Sequence, residues 1–445
     1  MYWNQGPASV PRSSNSSDQR PSTFGIDNSS GEFRIRVIMS ATLRPGANLA
    51  ACGWRVQCLF TLALLSAVAG GCHSLASGPT PDDVSDNAGC SEDVSMAVDS
   101  KRTVHLIWTD NTPGLQQGNR WNQEILYSFK REGDTWSSPV NLSCNSGASR
   151  FPCLAVDRED RLHAVWQDCS PAGNWAIFYV SKSPGAGWSV PETISGHGGC
   201  LSPWVAVDGA CDVHLIWLTG DYDWRIWYAT RNKASGWSAP VAILPKPSNV
   251  WSQPKIACDG NGGVHVAWSG SDTLQAPVYV YYSYKAPGGD WLPWQPISLT
   301  GYFLTSEVSL AVDHSNNAHF VWIDHYKEHG CITYRERYAD GTWSEVVPCS
   351  TITAEGPGEP LGLGVGPDDA LHLVWSDYVE EISGTSLCYA SKIGPSWENR
   401  RVLVKVTPNN PAVVVGSQGE VHVAYDAYVD PAIENTDIFY LHVEK

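Results

Sequence analysis

Basic residues are in short supply: Lys and Arg number 29 against 46 Asp and Glu, a formal charge of −17. A polyanion would be repelled over most of such a surface, so nucleic-acid binding is excluded as a first reading. Long apolar runs are also missing. The one strong run, residues 58–70 (CLFTLALLSAVAG), is too short to span a bilayer. No stretch beyond residue 90 shows convincing helical periodicity, which argues against an all-α or α/β fold. Among the 13 cysteines there is no CxxC pair and no His/Cys cluster at zinc-ligand spacing, so structural zinc is not expected. No EF-hand spacing occurs either; acidic loop starts offer calcium hard oxygen ligands, but no metal or other cofactor is predicted.

What the chain has instead is 40 Gly, 29 Pro and 21 Trp with 42% apolar residues, the composition of a turn-rich, aromatic-rich globular protein. The apolar run has the length of a signal-peptide core, preceded by Arg44 and Arg55 and followed by small residues. The sequence Ala69-Gly70-Gly71-Cys72 resembles the lipobox of bacterial lipoproteins, which implies acylation of Cys72. A plain secretory peptide is the alternative. Met39 is the expected start, leaving residues 1–38 outside the native product, 39–71 as the signal, 72–92 as a lipid-anchored tether and 93–445 as the folded domain. The expected address is the bacterial cell envelope, as an outer-membrane or surface lipoprotein, with a secreted or periplasmic protein as the alternative. Contact with the membrane would be through the lipid alone. An exported chain permits disulfides; one pairing is predicted, Cys331 with Cys349, as opposite members of a hairpin.

Internal repetition settles the organisation. A phrase of apolar-Val-Asp, a polar turn, then apolar-His-apolar-apolar-Trp recurs: AVDSKRTVHLIW, AVDREDRLHAVW, AVDGACDVHLIW, ACDGNGGVHVAW, AVDHSNNAHFVW, GVGPDDALHLVW and VVGSQGEVHVAY. Its histidines, from His105 to His422, recur about every 53 residues. A second phrase ends in Tyr (Tyr127, Tyr179, Tyr228, Tyr282, Tyr334, Tyr389, Tyr440), and a third opens on Trp (Trp136, Trp188, Trp237, Trp291, Trp343, Trp397). Four short β-rich runs per unit, separated by Gly, Pro, Asp and Ser, predict an all-β, seven-bladed β-propeller of four-stranded antiparallel blades, with six blades as the alternative. The seventh unit ends without its Trp phrase. A three-stranded or weakly closed last blade is therefore predicted, because residues 74–92 carry little β character.

The units resemble the BNR/Asp-box repeats of the sialidase-like propeller superfamily, whose Asp box (S-x-D-x-G-x-x-W) lies between the third and fourth strands. Ser181-Lys182-Ser183-Pro184-Gly185-Ala186-Gly187-Trp188 keeps the spacing with Ser at the Asp position, and Asn232 takes that position in the third unit. The resemblance implies a propeller and, as one reading, a glycoside hydrolase of the sialidase kind. The arginine that such enzymes take from their first strand has no counterpart in SEDVSMAVD; Arg150, Arg225 and Arg335 are the remaining candidates. Tyr334 beside Glu336 resembles the Tyr–Glu pair, yet every blade repeats that tyrosine.

A residue present in every unit answers a demand that every unit shares, so the seven histidines are predicted to be buried and bonded, His105 to Asp99, His163 to Asp157, His214 to Asp208, His265 to Asp259 and His319 to Asp313. Function should reside where units differ, in the loops joining second to third strands and blade to blade. Those loops gather Trp121, Trp175, Trp224, Trp251, Tyr302 and Tyr326 with Arg150, Asp168, Asp324 and Asp377. Aromatic faces beside fixed polar groups suit sugars. A monomer that binds a glycan or an envelope protein without a catalytic centre is the preferred reading; a glycoside hydrolase is the alternative.

Overall fold

The computed structural model describes residues 80–112, 122–169, 174–195, 199–220, 224–243, 249–250, 252–271, 277–298, 305–326, 329–349, 357–379, 384–430 and 435–444. Its strands form seven separate antiparallel sheets, and no helix occurs among the described residues. In the second blade the strands are Ala148–Val156, Leu162–Cys169, Trp175–Lys182 and Glu192–Thr193, hydrogen-bonded in that order. First strands of successive blades adjoin one another, including that of the seventh and that of the first, so the ring closes with seven blades.

The second strands explain why the blades need one another. Val104–Asp110 is buried at every position, and Trp108, Trp166, Trp268, Trp322 and Trp375 are all at most 1% exposed. A sheet apolar on both faces cannot be covered by its own chain segment. Each core cluster accordingly takes residues from two neighbouring blades, as where Ile107 and Ile125 of the first pack with Leu162 and Trp166 of the second.

The repeated polar residues form one network per blade. His Nδ1 lies 2.7–2.9 Å from the hydroxyl of the repeat tyrosine in all seven blades. In the first five, His Nε2 lies 3.1–3.4 Å from the predicted Asp. The same Asp closes the hairpin turn: Asp99 Oδ1 accepts from the amides of Lys101 and Thr103, and the turn places Arg102 at φ 65°, a left-handed position repeated as Asp160, Cys211, Gly262, Asn316, Asp369 and Gly419. The tyrosine partner was not anticipated. It also ties blades together, because the Trp opening the next fourth strand meets the tyrosine ring edge-to-face, with centroids 5.0 Å apart for Tyr127 and Trp188 and 5.1 Å for Tyr179 and Trp237.

Two expectations are corrected. The seventh blade is four-stranded: Asp82–Asp83 pairs with Asn435–Val443 in the register Asp82 to Tyr440, and the Val84 amide donates to the Ile438 carbonyl at 2.8 Å. Residues 82–92, expected in the tether, are thus part of the ring. The low β propensity of this segment misled because outer strands in the first five blades are short, only two residues in Val140–Asn141 and Glu192–Thr193, so little propensity is required. Trp136 of the first blade then locks the seam, its indole donating to Asp82 Oδ2 at 3.1 Å and its ring lying 5.1 Å from Tyr440.

The Cys331–Cys349 disulfide is not formed; both thiols are free. The register pairs Thr333 with Pro348, and the Cys349 amide donates to Ile332. Cys349 therefore stands opposite Ile332, and alternation of side chains puts Cys331 on the other face.

Candidate functional site

First strands carry the irregularity that builds the site. Their pairing shifts register at Glu92/Ser95, Arg150/Cys153, Leu201/Trp204, Ser306/Val308, Gly358/Gly362 and Asn409/Ala412. At these bulges Asp93, Phe151, Ser202, Glu307 and Asn410 adopt positive φ, between 34° and 57°. A non-glycine residue in this region costs free energy, and such strain concentrates at functional sites. The bulges surround a central cavity of about 340 Å³ lined by Asp93, Phe151, Trp204, Lys255, Glu307 and Asn410 among others. It lies toward the end of the ring where second-to-third loops emerge, since Ser91, which opens the first strand, pairs with Asp110, which closes the second.

The cavity is electrostatically divided. Lys255 is 6% exposed, and burial lowers its pKa while Glu307 opposes that shift. Its Nζ stands 3.5 Å from the Trp204 ring centroid, a cation–π contact. Across the ring, burial raises Asp93 to about 6, with Glu92 adding to the rise and a bond from Thr109 Oγ1 at 3.3 Å countering it. Behind it, burial raises Asp426 to about 7, against an Asn410 amide bond of 2.9 Å. Cys153 also lines the cavity, but burial pushes its thiol up to about 11, leaving no thiolate nucleophile near neutral pH.

These two carboxyls dictate a pH dependence. Each folded-state pKa lies above the ordinary value, so the folded chain holds the protons more tightly than the unfolded chain. Their stabilising contribution is present below about pH 4 and is lost as pH rises to about 7. Denaturant unfolding at pH 5 and pH 8 should therefore show Asp426→Asn gaining on the parent at pH 8. An equal difference at both values would mean that Asp426 titrates normally.

The residues predicted from the loops fare differently. Asp168 and Asp377 are buried, at 0% and 1% exposure. Asp168 Oδ2 accepts from Trp166 Nε1 at 3.2 Å, Ser149 Oγ at 2.7 Å and Asn145 Nδ2 at 2.6 Å; Asp377 Oδ2 accepts from Trp375 Nε1 and Arg400, each at 3.1 Å. Both hold the core tryptophan, and Asp168 ties it through Asn145 to the segment before the first strand, whereas Asp377 ties it through Arg400 to the outer strand. Asp324, half-buried, accepts from Thr333 at 2.9 Å. Trp224 packs on a blade core. Arg150 lies 5.9 Å from the Trp175 ring, and its buried Nε has no hydrogen-bond partner; its charge lowers the pKa of Asp93, but of the two only Asp93 lines the cavity. Trp121, Trp251, Tyr302 and Cys72 lie outside the described residues, as does the side chain of Tyr326.

The arginines and the Tyr–Glu pair do not converge. Arg335 donates to the Ser344 and Ile297 carbonyls, and Arg225 begins a third strand opposite Thr219. Tyr334 donates to Glu336 Oε2 at 3.1 Å and also meets His319, within the network every blade carries. Asp313, His319 and Glu336 are the one group among the described residues whose ligand atoms all lie within 4.8 Å. Asn317, Tyr334 and the Asp–His contact already engage them. Sequence reasoning missed Lys255, Asp93 and Glu307. The available signal was a charged residue inside each of three first strands.

No protein-family profile and no curated protein sequence matches the chain. Among solved structures, it is similar to the BP39L lectin from Burkholderia pseudomallei, at 13% identity and a TM-score of 0.54 over 78% of this chain and 98% of that one. It is similar also to a protein of unknown function from Dyadobacter fermentans, at 12% and 0.50 over 82% and 98%. The polysaccharide lyase Uly1 is a third, at 8% and 0.50 over 84% and 94%. At such identities the likeness is one of fold, and the chain is a seven-bladed β-propeller.

Proposed function

We propose that the protein is an exported, lipid-anchored cell-envelope propeller that binds carbohydrate at the loop-bearing end of its central channel. The observation that carries this reading is the cavity itself. It pairs an aromatic face, Trp204, with a buried cation, Lys255, and acidic acceptors, Asp93 and Glu307, on strained bulges. Sugars present apolar C–H faces and directed hydroxyls, and this wall offers a partner for each. The lectin among the structural neighbours supports the reading. Probing the purified full chain against a glycan array should give retained glycans, and Trp204→Ala should weaken them at least tenfold. An array without signal, or one indifferent to Trp204→Ala, would sink the proposal and leave an envelope protein as the partner.

The anchor rests on the apolar run and on Cys72. Fractionation of cells fed labelled palmitate should show label in the parent and none in Cys72→Ser, which should leave the membrane fraction. Label retained by the variant would refute acylation at that residue.

A second reading is favoured by one observation. Asp93 and Asp426 hold protons at higher pH than ordinary carboxyls, the property of a general acid in glycan cleavage. Incubating the retained glycans with the parent and with Asp93→Asn distinguishes the two. New reducing or unsaturated ends released by the parent alone identify an enzyme; intact glycans identify a binding protein.

A further inference from the structure

The sixth and seventh blades depart from the other five at the hairpin-turn end of the ring, with Gly366 and Gly416 at the Asp position, and the seventh carries the departure furthest. In the first five blades the Nε2 of the repeat histidine meets an Asp carboxylate. In the seventh Gly416 replaces that Asp. His422 is 6% exposed, and its buried Nε2 has no hydrogen-bond partner. Beside it, Glu420 takes over the turn-closing task by accepting from the Gln418 amide through Oε2 at 2.9 Å. Its other oxygen, Oε1, is likewise buried and unpartnered. A cavity of about 540 Å³ adjoins both, walled by Gln418, Glu420, His422 and His442 of the seventh blade and by Arg102 and Arg131 of the first.

The protonation pattern fixes what this floor can bind. Burial pushes the Tyr440 hydroxyl well above its usual range and His422 down to about 4, so the phenol keeps its proton and the imidazole is neutral at physiological pH. Tyr440 Oη lies 2.8 Å from Nδ1; we assign the phenol as donor to Nδ1, by analogy with the first five blades, where the Asp carboxylate at Nε2 calls for the ring proton there. With that assignment the floor presents one donor and one acceptor, Glu420 being near enough to act electrostatically on the His422 ring. A carboxylate ligand would satisfy the imidazole but repel Glu420. A cation would face an N–H. A hydroxyl suits both, accepting from Nε2–H and donating to Oε1.

We propose that this seam cavity is a second binding site, distinct from the central channel, for a small polyhydroxylated molecule whose hydroxyl bridges His422 and Glu420. Cavities of this size are in the range of small-molecule sites. Because its walls belong to the two blades that close the ring, an occupant would clamp the seam and raise the thermal midpoint, as any ligand of the folded state does.

The test uses the full chain and myo-inositol as the probe. Titration should shift the His422 Nε2 resonance of ¹⁵N-histidine-labelled protein and raise the melting temperature. Gly416→Asp with Glu420→Thr rebuilds the Asp99 and Thr103 arrangement of the first blade, and a Cβ at Gly416 would otherwise overlap Glu420. This double variant should bind inositol at least tenfold more weakly. His422→Phe, which keeps a buried ring, should do the same and serves if the double variant fails to fold. Trp204→Ala, in the central channel, should leave inositol binding unchanged. The proposal is overturned if the His422 signal does not move up to the solubility limit of inositol, if either folded variant binds as the parent does, or if Trp204→Ala abolishes binding.

Discussion

Trp166→Ala should be among the most destabilising single substitutions in the ring, lowering unfolding free energy by about 3–5 kcal/mol. Trp166 is completely buried, stacks on Phe178 with centroids 6.1 Å apart, and packs against the first blade through Ile107 and Ile125. Its removal opens a void between two blades. It also takes the indole N–H from Asp168, a carboxylate with 0% exposure whose Oδ1 already lacks a partner. Trp166→Phe separates the two effects by retaining most of the ring while losing the donor, at a cost of about 1–3 kcal/mol. Denaturant unfolding of parent and variants measures both. A loss below about 1 kcal/mol for the alanine variant would mean that neighbouring blades relax into the space, contrary to interlocked packing.

Lys255→Met should act in opposite directions on stability and on binding. Lys255 is a buried cation with no hydrogen-bond or ion-pair partner among the described residues, resting on the Trp204 ring. Burying an unpaired charge is costly, so an apolar side chain of similar length should raise the unfolding midpoint. The same change removes the channel's buried cation, and retention of array glycans should fall at least tenfold. Calorimetric titration with the best-retained glycan, beside thermal unfolding, reads both quantities. Unchanged affinity would remove the cavity from the binding site. A lowered midpoint would show that the ammonium is satisfied within the folded chain.

The legible and illegible parts of this molecule differ in kind. The seven His, Tyr and Trp phrases are visible because each blade must solve the same problem, and the Asp–His contact was deducible from the six-residue spacing across a tight hairpin. The tyrosine that completes this network is visible in the sequence only as part of a repeated phrase, since nothing in the spacing shows that the side chains of His105 and Tyr127 lie on one face and within reach of each other. Asp168 and Asp377 drew attention as carboxylates in variable loops. Their position two residues after the core tryptophan makes them caps for its indole, which becomes apparent only once Trp166 and Trp375 are known to point inward. Lys255 escaped notice because a lone lysine in an apolar strand has no periodicity to betray it.

Copies of a unit whose two faces are both apolar require neighbours on both sides, and that requirement, written into the chain seven times, determined blade number, strand order and the burial of the repeat residues. Local sequence could not decide which residues meet across the axis, because Asp93, Phe151, Lys255 and Glu307 belong to four different blades and come together only when the ring closes. Nor could it decide the seam. Asp82–Asp83 has no strand character of its own and becomes a strand because Asn435–Val443 offers it an open edge. Propensity and pattern act over a few residues, whereas closure joins positions more than three hundred apart, and only the folded ring makes those positions neighbours.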